Sequence, residues 1–295
     1  MAGQLKEVRN RIKSVQSTQQ ITKAMKMVSA AKLRRAQDAI MQMRPYAQKL
    51  QEMLSNIVSN IDSGDMNIKL ATERTVEKVL LIVITSDRGL AGAYNANIVK
   101  AARNAIAAKY PAQFAKGNVT IWNIGKKGYE SLTRTGYKTN ADYKDIFLNL
   151  SFEQVRAVSA AAMKAFENGE FDAVELVYSE FKNAATQAYV VEQFLPIAKV
   201  QSQAGAKKAD FIFEPNKEEL IAELMPKILN TQMYKAVLDA SASEHGARMT
   251  AMDKATDNAG ELLKQLRLTY NRTRQAAITK EILEIVGGAE ALKSA

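Results

Sequence analysis

Two places in the 295-residue sequence carry residue types that could do chemistry. The first is a turn, Thr85-Ser86-Asp87-Arg88-Gly89-Leu90-Ala91-Gly92-Ala93-Tyr94-Asn95, set between an apolar run and a helical stretch, where a phosphate-binding loop would stand. Such loops use G-x-x-x-x-G-K-[ST] or G-x-G-x-x-G, because glycines let backbone amides approach phosphates at a helix N-terminus. Here Gly89 and Gly92 are followed by neither Lys-Ser/Thr nor a third glycine. The turn therefore reads as structural, and Asp87 with Arg88 fits a capping and ion-pair arrangement better than an acid or base. The second place is His245, the single histidine, between Glu244 and Gly246. With no cysteine and no second histidine, a structural zinc site, an iron–sulfur cluster, a disulfide framework and a cysteine nucleophile are ruled out. A serine triad would have to pass through His245 alone, which reads as an exposed or locally bonded side chain. No cluster amounts to a catalytic constellation, and no catalytic residue, cofactor or metal is expected.

The elements around these residues have two different periods. From Leu5, steps of three and four meet Val8, Ile12, Val15, Gln19, Thr22, Lys26, Ser29, Leu33, Ala36, Ile40, Met43, Ala47, Leu50, Leu54, Ile57 and Ile61. That spacing is a coiled-coil seam, sustained too long for an ordinary globular helix. Pro45 removes a backbone donor, but the phase passes through it unchanged, so a bend rather than a stop is expected. Over Gln19 to Ser29 the seam turns polar while Ile21, Ala24, Met25 and Val28 form an apolar stripe on a rotated face. A helix that changes its apolar face changes its neighbour, so this stretch is expected to look away from its helical mate. A second helix is expected from about Lys217 to Val286, with Met252, Ala255, Ala259, Leu262 and Leu266 as its seam, continued by Thr269, Thr273 and Ala276. Ala255, Ala259 and Gly260 are small enough for close approach, and Ile278, Ile282 and Ile285 lie on another face. Two terminal helices with one apolar stripe each most simply bury those stripes together, antiparallel.

Between them the pattern shifts to strands. The run Val79 to Ile84, the segment Val119 to Ile124, and β-rich stretches at Ala173 to Tyr178 and Tyr189 to Leu195 alternate with helical stretches to Lys109 and near Phe152 to Asn168. The fold class is therefore α/β: a long antiparallel coiled coil of the N- and C-terminal helices plus a central Rossmann-like α/β domain with a partly parallel sheet. The expected boundaries are 1–61 for the N-terminal helix, 70–210 for the central domain and 211–295 for the C-terminal helix.

The net charge of +10 is concentrated at one end. Residues 1–60 carry 11 Lys/Arg against 3 Asp/Glu, residues 61–215 carry 19 against 17, and residues 216–295 carry 11 against 11. A solvated helix face accounts for such an excess; so does an acidic partner, whether nucleic acid or a protein surface. Aromatic residues for base stacking are nearly absent from residues 1–60, where Tyr46 stands alone, which speaks against nucleic acid. A dinucleotide enzyme built on the middle domain is the remaining alternative, and the poor glycine motif weighs against it. The longest apolar run is far below the roughly 20 residues of a membrane span, and the first residues carry no recognisable targeting segment.

Three stretches, in order and from end to end, resemble the γ subunit of bacterial F-type ATP synthases. They are Ile21-Thr22-Lys23-Ala24-Met25-Lys26-Met27-Val28-Ser29-Ala30-Ala31-Lys32-Leu33-Arg34-Arg35, the turn Thr85 to Gly92, and the run from Ala247-Arg248-Met249 to the signature around Ile278-Thr279-Lys280-Glu281 and Gly287-Gly288-Ala289. The resemblance implies a non-catalytic rotor whose terminal helices enter the α3β3 ring. Its further partners would be the ε subunit and the membrane-embedded c-ring. It would couple proton-driven rotation to ATP synthesis or hydrolysis at the β subunits, peripherally at the cytoplasmic side of the bacterial inner membrane, with membrane association only through the complex and no nucleic acid. It also implies contact with an acidic β lobe by Lys23, Met25, Lys26 and the turn residues Arg88, Gly89 and Ala91, and contact or helix coupling higher in the ring by Arg248, Gln275, Thr279 and Glu281. The chloroplast form carries two regulatory cysteines in its middle domain; with none here, thiol control is not expected.

Overall fold

The computed structural model describes residues 2–59, 69–184, 186–197 and 217–293. In chain order these form α1 (Ala2–Ser59), β1 (Val79–Ile84), α2 (Tyr94–Lys109), α3 (Pro111–Ala115), β2 (Val119–Ile124), α4 (Lys126–Arg134), β3 (Thr139–Asn140), α5 (Phe152–Glu167), β4 (Ala173–Phe181), β5 (Gln187–Leu195) and α6 (Lys217–Lys293). Two compact units result: Met1–Ser29 with Met249–Ala295, and Ala30–Arg248. Both long helices contribute to both units.

In the larger unit the strand order is β3-β2-β1-β4-β5, with β1 to β4 parallel and β5 antiparallel to β4. The six residues of β1 are all buried, which explains why the run is continuously apolar rather than alternating. Its two faces enter different cores. Val79, Leu81 and Val83 meet Ile98, Ala102 and Ile106 of α2. Leu80, Ile82 and Ile84 join Val155, Val158, Ala162 and Phe166 of α5 together with Leu229, Met233 and Val237 of α6. The start of α6 is thus a core element of the sheet unit, and Leu50 of α1 joins the same cluster. The short α3, α4 and β3 were not expected. Of the nine residues of α4 only Gly128 and Leu132 are buried, too few to set a visible period.

In the smaller unit, α1 and α6 pair antiparallel through Arg9 with Tyr270, Thr22 with Thr256 and Lys26 with Asp253. The polar stretch does not leave the seam. Thr22 and Ser29 are buried in it, whereas Ile21 and Val28 of the rotated stripe are exposed and Met25 is half-buried. The expectation that this stretch turns away from its mate is therefore corrected. The reason is hydrogen bonding: the Thr22 hydroxyl lies 2.8 Å from that of Thr256, and Ser29 Oγ donates to the Met25 carbonyl at 2.8 Å. Hydroxyls with partners can be buried without an unsatisfied-group penalty. The α6 register also needs correction. The inward positions are Met252, Thr256, Ala259, Leu263, Leu266, Tyr270, Thr273 and Ala277, whereas Leu262 is 43% exposed and Thr269 and Ala276 are exposed. Adjacent leucines at 262 and 263 offered two phases, and the one that brings Thr256 to Thr22 is adopted. Gly260 faces Gln19, where an added Cβ would lie 3.0 Å from Nε2, so the expected close approach is present. The helix α1 continues through Pro45. Leu54, Ile57 and Ile61 fall outside the described side chains, and the expected 210/211 boundary outside the described residues.

Candidate partner-contact site

In the larger unit, the chain leaves β1 for β2 on one side and returns to β4 on the other. The carboxyl ends of β1 and β4 therefore flank the crevice where doubly wound folds hold nucleotides. The turn Thr85 to Gly92 stands there, and the side chains of Thr85, Ser86 and Asp87 are engaged within the chain itself. The first amides of α4 are taken by Asp87 Oδ1 (Lys126 N–H, 3.3 Å), the Ser86 carbonyl (Lys127 N–H, 3.0 Å) and Thr85 Oγ1 (Gly128 N–H, 2.8 Å). These bonds close the N-terminus of α4 to an anion. Asp87 thus caps α4, and the cation that acts on it is Lys126 rather than the expected Arg88; burial raises its pKa above the ordinary carboxyl value, opposed by the Lys126 amide and charge. The crevice itself is filled by α6. Tyr94 Oη donates to the Ala240 carbonyl at 2.8 Å, Ser243 Oγ donates to the Ser179 carbonyl at 3.0 Å, and Gly246 abuts the Ala184 backbone.

One turn further along α6, Arg248 reaches the same turn. Its Nη1 donates to the Gly89 carbonyl at 2.5 Å and its Nη2 to the Arg88 carbonyl at 3.3 Å. Nε and Nη2 also donate to Glu244 Oε1, the former at 2.9 Å. His245 Nδ1 lies 3.2 Å from Glu244 Oε2. Burial lowers the His245 pKa, the charge of Glu244 opposes this, and the cations Lys32 and Arg248 reinforce it, so a neutral imidazole is favoured. Of the two expected arrangements, exposed or locally bonded, the structure shows the second: His245 is largely buried, beside the carboxylate of its neighbour Glu244. At the top of the turn Leu90 is 66% exposed with φ of 65°, while Ala91 beneath it is packed into the α2 core.

In the smaller unit, Lys23 is exposed and Met25 half-buried, whereas Lys26 is engaged by Asp253 at 2.5 Å. Carried back to Ala2, the antiparallel register runs out near Ala277, so α6 continues beyond it without α1. Thr279 and Glu281 are exposed on that stretch, as are Ile278, Ile282, Leu283, Ile285 and Val286, and Gln275 is exposed just before it. Arg88, Gly89 and Arg248 are thus brought together in one unit and Lys23, Met25 and Lys26 line one stretch of the other. Among the described residues no helix is long and apolar enough to cross a membrane, and no group of three or more His, Cys, Asp or Glu is placed to hold a metal.

The sequence model of the ATP synthase family matches residues 4–292. The ATP synthase gamma chain of Cytophaga hutchinsonii is 58% identical over 294 residues, covering 98% of this chain and 99% of the relative; that of Flavobacterium johnsoniae is 54% identical over 288 residues, covering 98% of each. The chain belongs to the ATP synthase gamma chain family. Its fold is shared with chains of solved ATP synthases: one in the OSCP/F1/c-ring structure of the Euglena gracilis mitochondrial ATP synthase superposes with a TM-score of 0.66 at 21% identity, covering 99% of this chain and 95% of that one. A chain of the Tetrahymena thermophila central stalk superposes with a TM-score of 0.56 at 26% identity, over 80% of this chain and 99% of that one.

Within this gamma chain, the residues that sequence reasoning missed are those that hold the expected ones in place: Glu244 behind Arg248, Asp253 behind Lys26, Thr256 opposite Thr22, and Leu90 on top of Ala91. Only the first had a local signal, an acid four residues before a base on one helix.

Proposed function

We propose that this chain is the non-catalytic rotor of a bacterial ATP synthase, coupling rotation of a c-ring to the conformational cycle of β subunits in an α3β3 ring, with ε as a further partner. The complex would lie at the cytoplasmic side of the inner membrane. The observation that carries this reading is the stripe of Ile21 and Val28 with Lys23: it stays exposed although the seam beside it is fully engaged by the partner helix. An apolar and basic face left over by a satisfied coiled coil suits a second protein with an acidic surface. A rotor biases a neighbour's conformation only as far as its contact energy differs between the neighbour's states. Exposed ion pairs are each worth about 0.2–1 kcal/mol, so Lys23 and its neighbours give contacts that exchange as the rotor turns rather than lock it. Lys23, Met25 and Lys26, the turn Arg88 to Ala91, and Arg248, Gln275, Thr279 and Glu281 are proposed as the contact and coupling set, with Lys26 and Arg248 acting through the intramolecular bonds described above. Filling of the nucleotide crevice by α6 supports the non-catalytic part of this reading.

The test is reconstitution. The full chain mixed with the α and β subunits of its own source is expected to co-elute with them and, with the membrane sector added, to support ATP-driven proton pumping. Elution apart from both subunits would overturn the assignment.

A further inference from the structure

Arg248 and Glu244 have side chains only 11% and 13% exposed, and no substrate or partner is needed to explain their bonds. A guanidinium presents its donors in one fixed plane. Here one edge is taken by Glu244 Oε1, which fixes the plane, and the other reaches two consecutive carbonyls, those of Arg88 and Gly89. Ser86 Oγ also donates to the Arg88 carbonyl, at 2.7 Å, so the base of the turn is held from both sides. The next residue, Leu90, adopts the left-handed region that residues with a side chain rarely enter, and it holds a large apolar side chain in solvent. Neither feature is what a free turn would settle into. Both persist only where the surroundings over-determine the backbone.

We propose that Glu244 and Arg248 form a clamp that fixes the Arg88–Leu90 turn and holds Leu90 outward as an apolar contact point for a neighbouring subunit. Glu244 is the positioning residue, acting through Arg248. The contact half of this inference rests on the rotor reading above; the clamp half does not. An apolar tip beside the exposed Arg88 fits a partner surface that pairs an apolar pocket with acidic groups.

Two measurements test it on the full chain and on the assembled, membrane-bound complex. Amide hydrogen exchange in residues 88–92 of the isolated full chain reads the clamp. Protons pumped per ATP hydrolysed reads the contact. Arg248→Lys replaces a fork by a point charge, and exchange in the turn is expected to rise about tenfold, the loss of one charge-assisted hydrogen bond. Glu244→Gln leaves an acceptor but removes the charge, and a smaller rise of about threefold is expected. Pumping per ATP is expected to fall in the same order, and Leu90→Ala to lower it with the exchange of residues 88 and 89 unchanged. Exchange unaltered by Arg248→Lys would overturn the clamp. Faster exchange with pumping per ATP intact in all three variants would overturn the contact role. Failure of the unmutated chain to assemble would instead overturn the rotor reading.

Discussion

Asp239 lies on α6 with 5% of its surface exposed, facing Lys235 on its own helix, Arg44 on α1 and Glu180 and the Phe181 amide on β4. Burial raises its pKa from 3.8 to about 6, against the pull of Lys235, Arg44 and the amide. A carboxyl whose folded pKa is raised contributes stability that is full below 3.8 and is lost as pH rises through about 6. At neutral pH the ionised group therefore costs on the order of 1–3 kcal/mol. Asp239→Asn is expected to raise the urea-unfolding free energy by about that amount at pH 7.5 and to change it little at pH 4. Equal stability of variant and parent at pH 7.5 would refute the account. His245 works in the opposite direction. Its folded pKa is lowered from 6.5, so its contribution is present above that value and is lost as pH falls below it. In the Asp239→Asn variant this loss is no longer offset, and stability is expected to decline more steeply between pH 6.5 and 5 than in the parent.

At the scale of elements, the join between β1 and α4 turns on one glycine. Gly125, at φ of 100°, precedes α4, and an added Cβ would lie 2.1 Å from the Thr85 carbonyl oxygen, a backbone atom that cannot swing away. Gly125→Ala is expected to destabilise by about 3 kcal/mol or more, combining left-handed strain with a clash. Gly117→Ala, at φ of 73° with open space around it, carries the strain alone and is expected to cost about 1 kcal/mol. Thermal unfolding of the pair separates the two contributions; equal losses would mean that the Thr85 contact does not matter. Most elements were legible because their burial marks the sequence: β1 as a continuous apolar run and β2 from apolar content, α2 and α5 from helical spacing, and α1 from a seam that holds to Leu50. What was not legible had a physical cause. The polar stretch Gln19 to Ser29 looked like a departure because apolarity was used as the sign of burial, whereas Thr22 and Ser29 are buried through their hydroxyl bonds. Arg248 was singled out by resemblance alone, for contact with β or coupling of the helices; its bonds to backbone carbonyls 159 and 160 positions away were not readable. Any residue type supplies such carbonyls, so the sequence leaves no mark of them.

On the scale of the whole molecule, the chain divides its work between a unit with two filled cores and a unit built from one helical pair and its unpaired continuation. The continuation carries Ile282 and Ile285, both exposed. Ile282→Ser with Ile285→Ser is expected to shift stability of the isolated chain by less than about 0.5 kcal/mol, because nothing is uncovered that was covered. In the assembled complex the same change is expected to weaken association with the α3β3 ring by about tenfold or more, at roughly 1–2 kcal/mol per apolar side chain re-exposed. Undiminished association would show that the apolar stretch does not face the ring.

The antiparallel pairing has one more effect, on how the protein comes into being. Arg9 and Tyr270 are 261 positions apart, so on the ribosome the first helix emerges long before its mate. A lone amphipathic helix is marginal in water and exposes an apolar edge while it waits. Closing a loop of that length is slow when taken as a chain search, and becomes faster once residues 30–248 have condensed and shortened the span. The pairing is thus expected to be the last step of folding, and a chain cut short before its final stretch would have no means of completing it. Prematurely terminated copies are expected to keep an unsatisfied helix open to proteolysis, which would favour complete translation products for assembly.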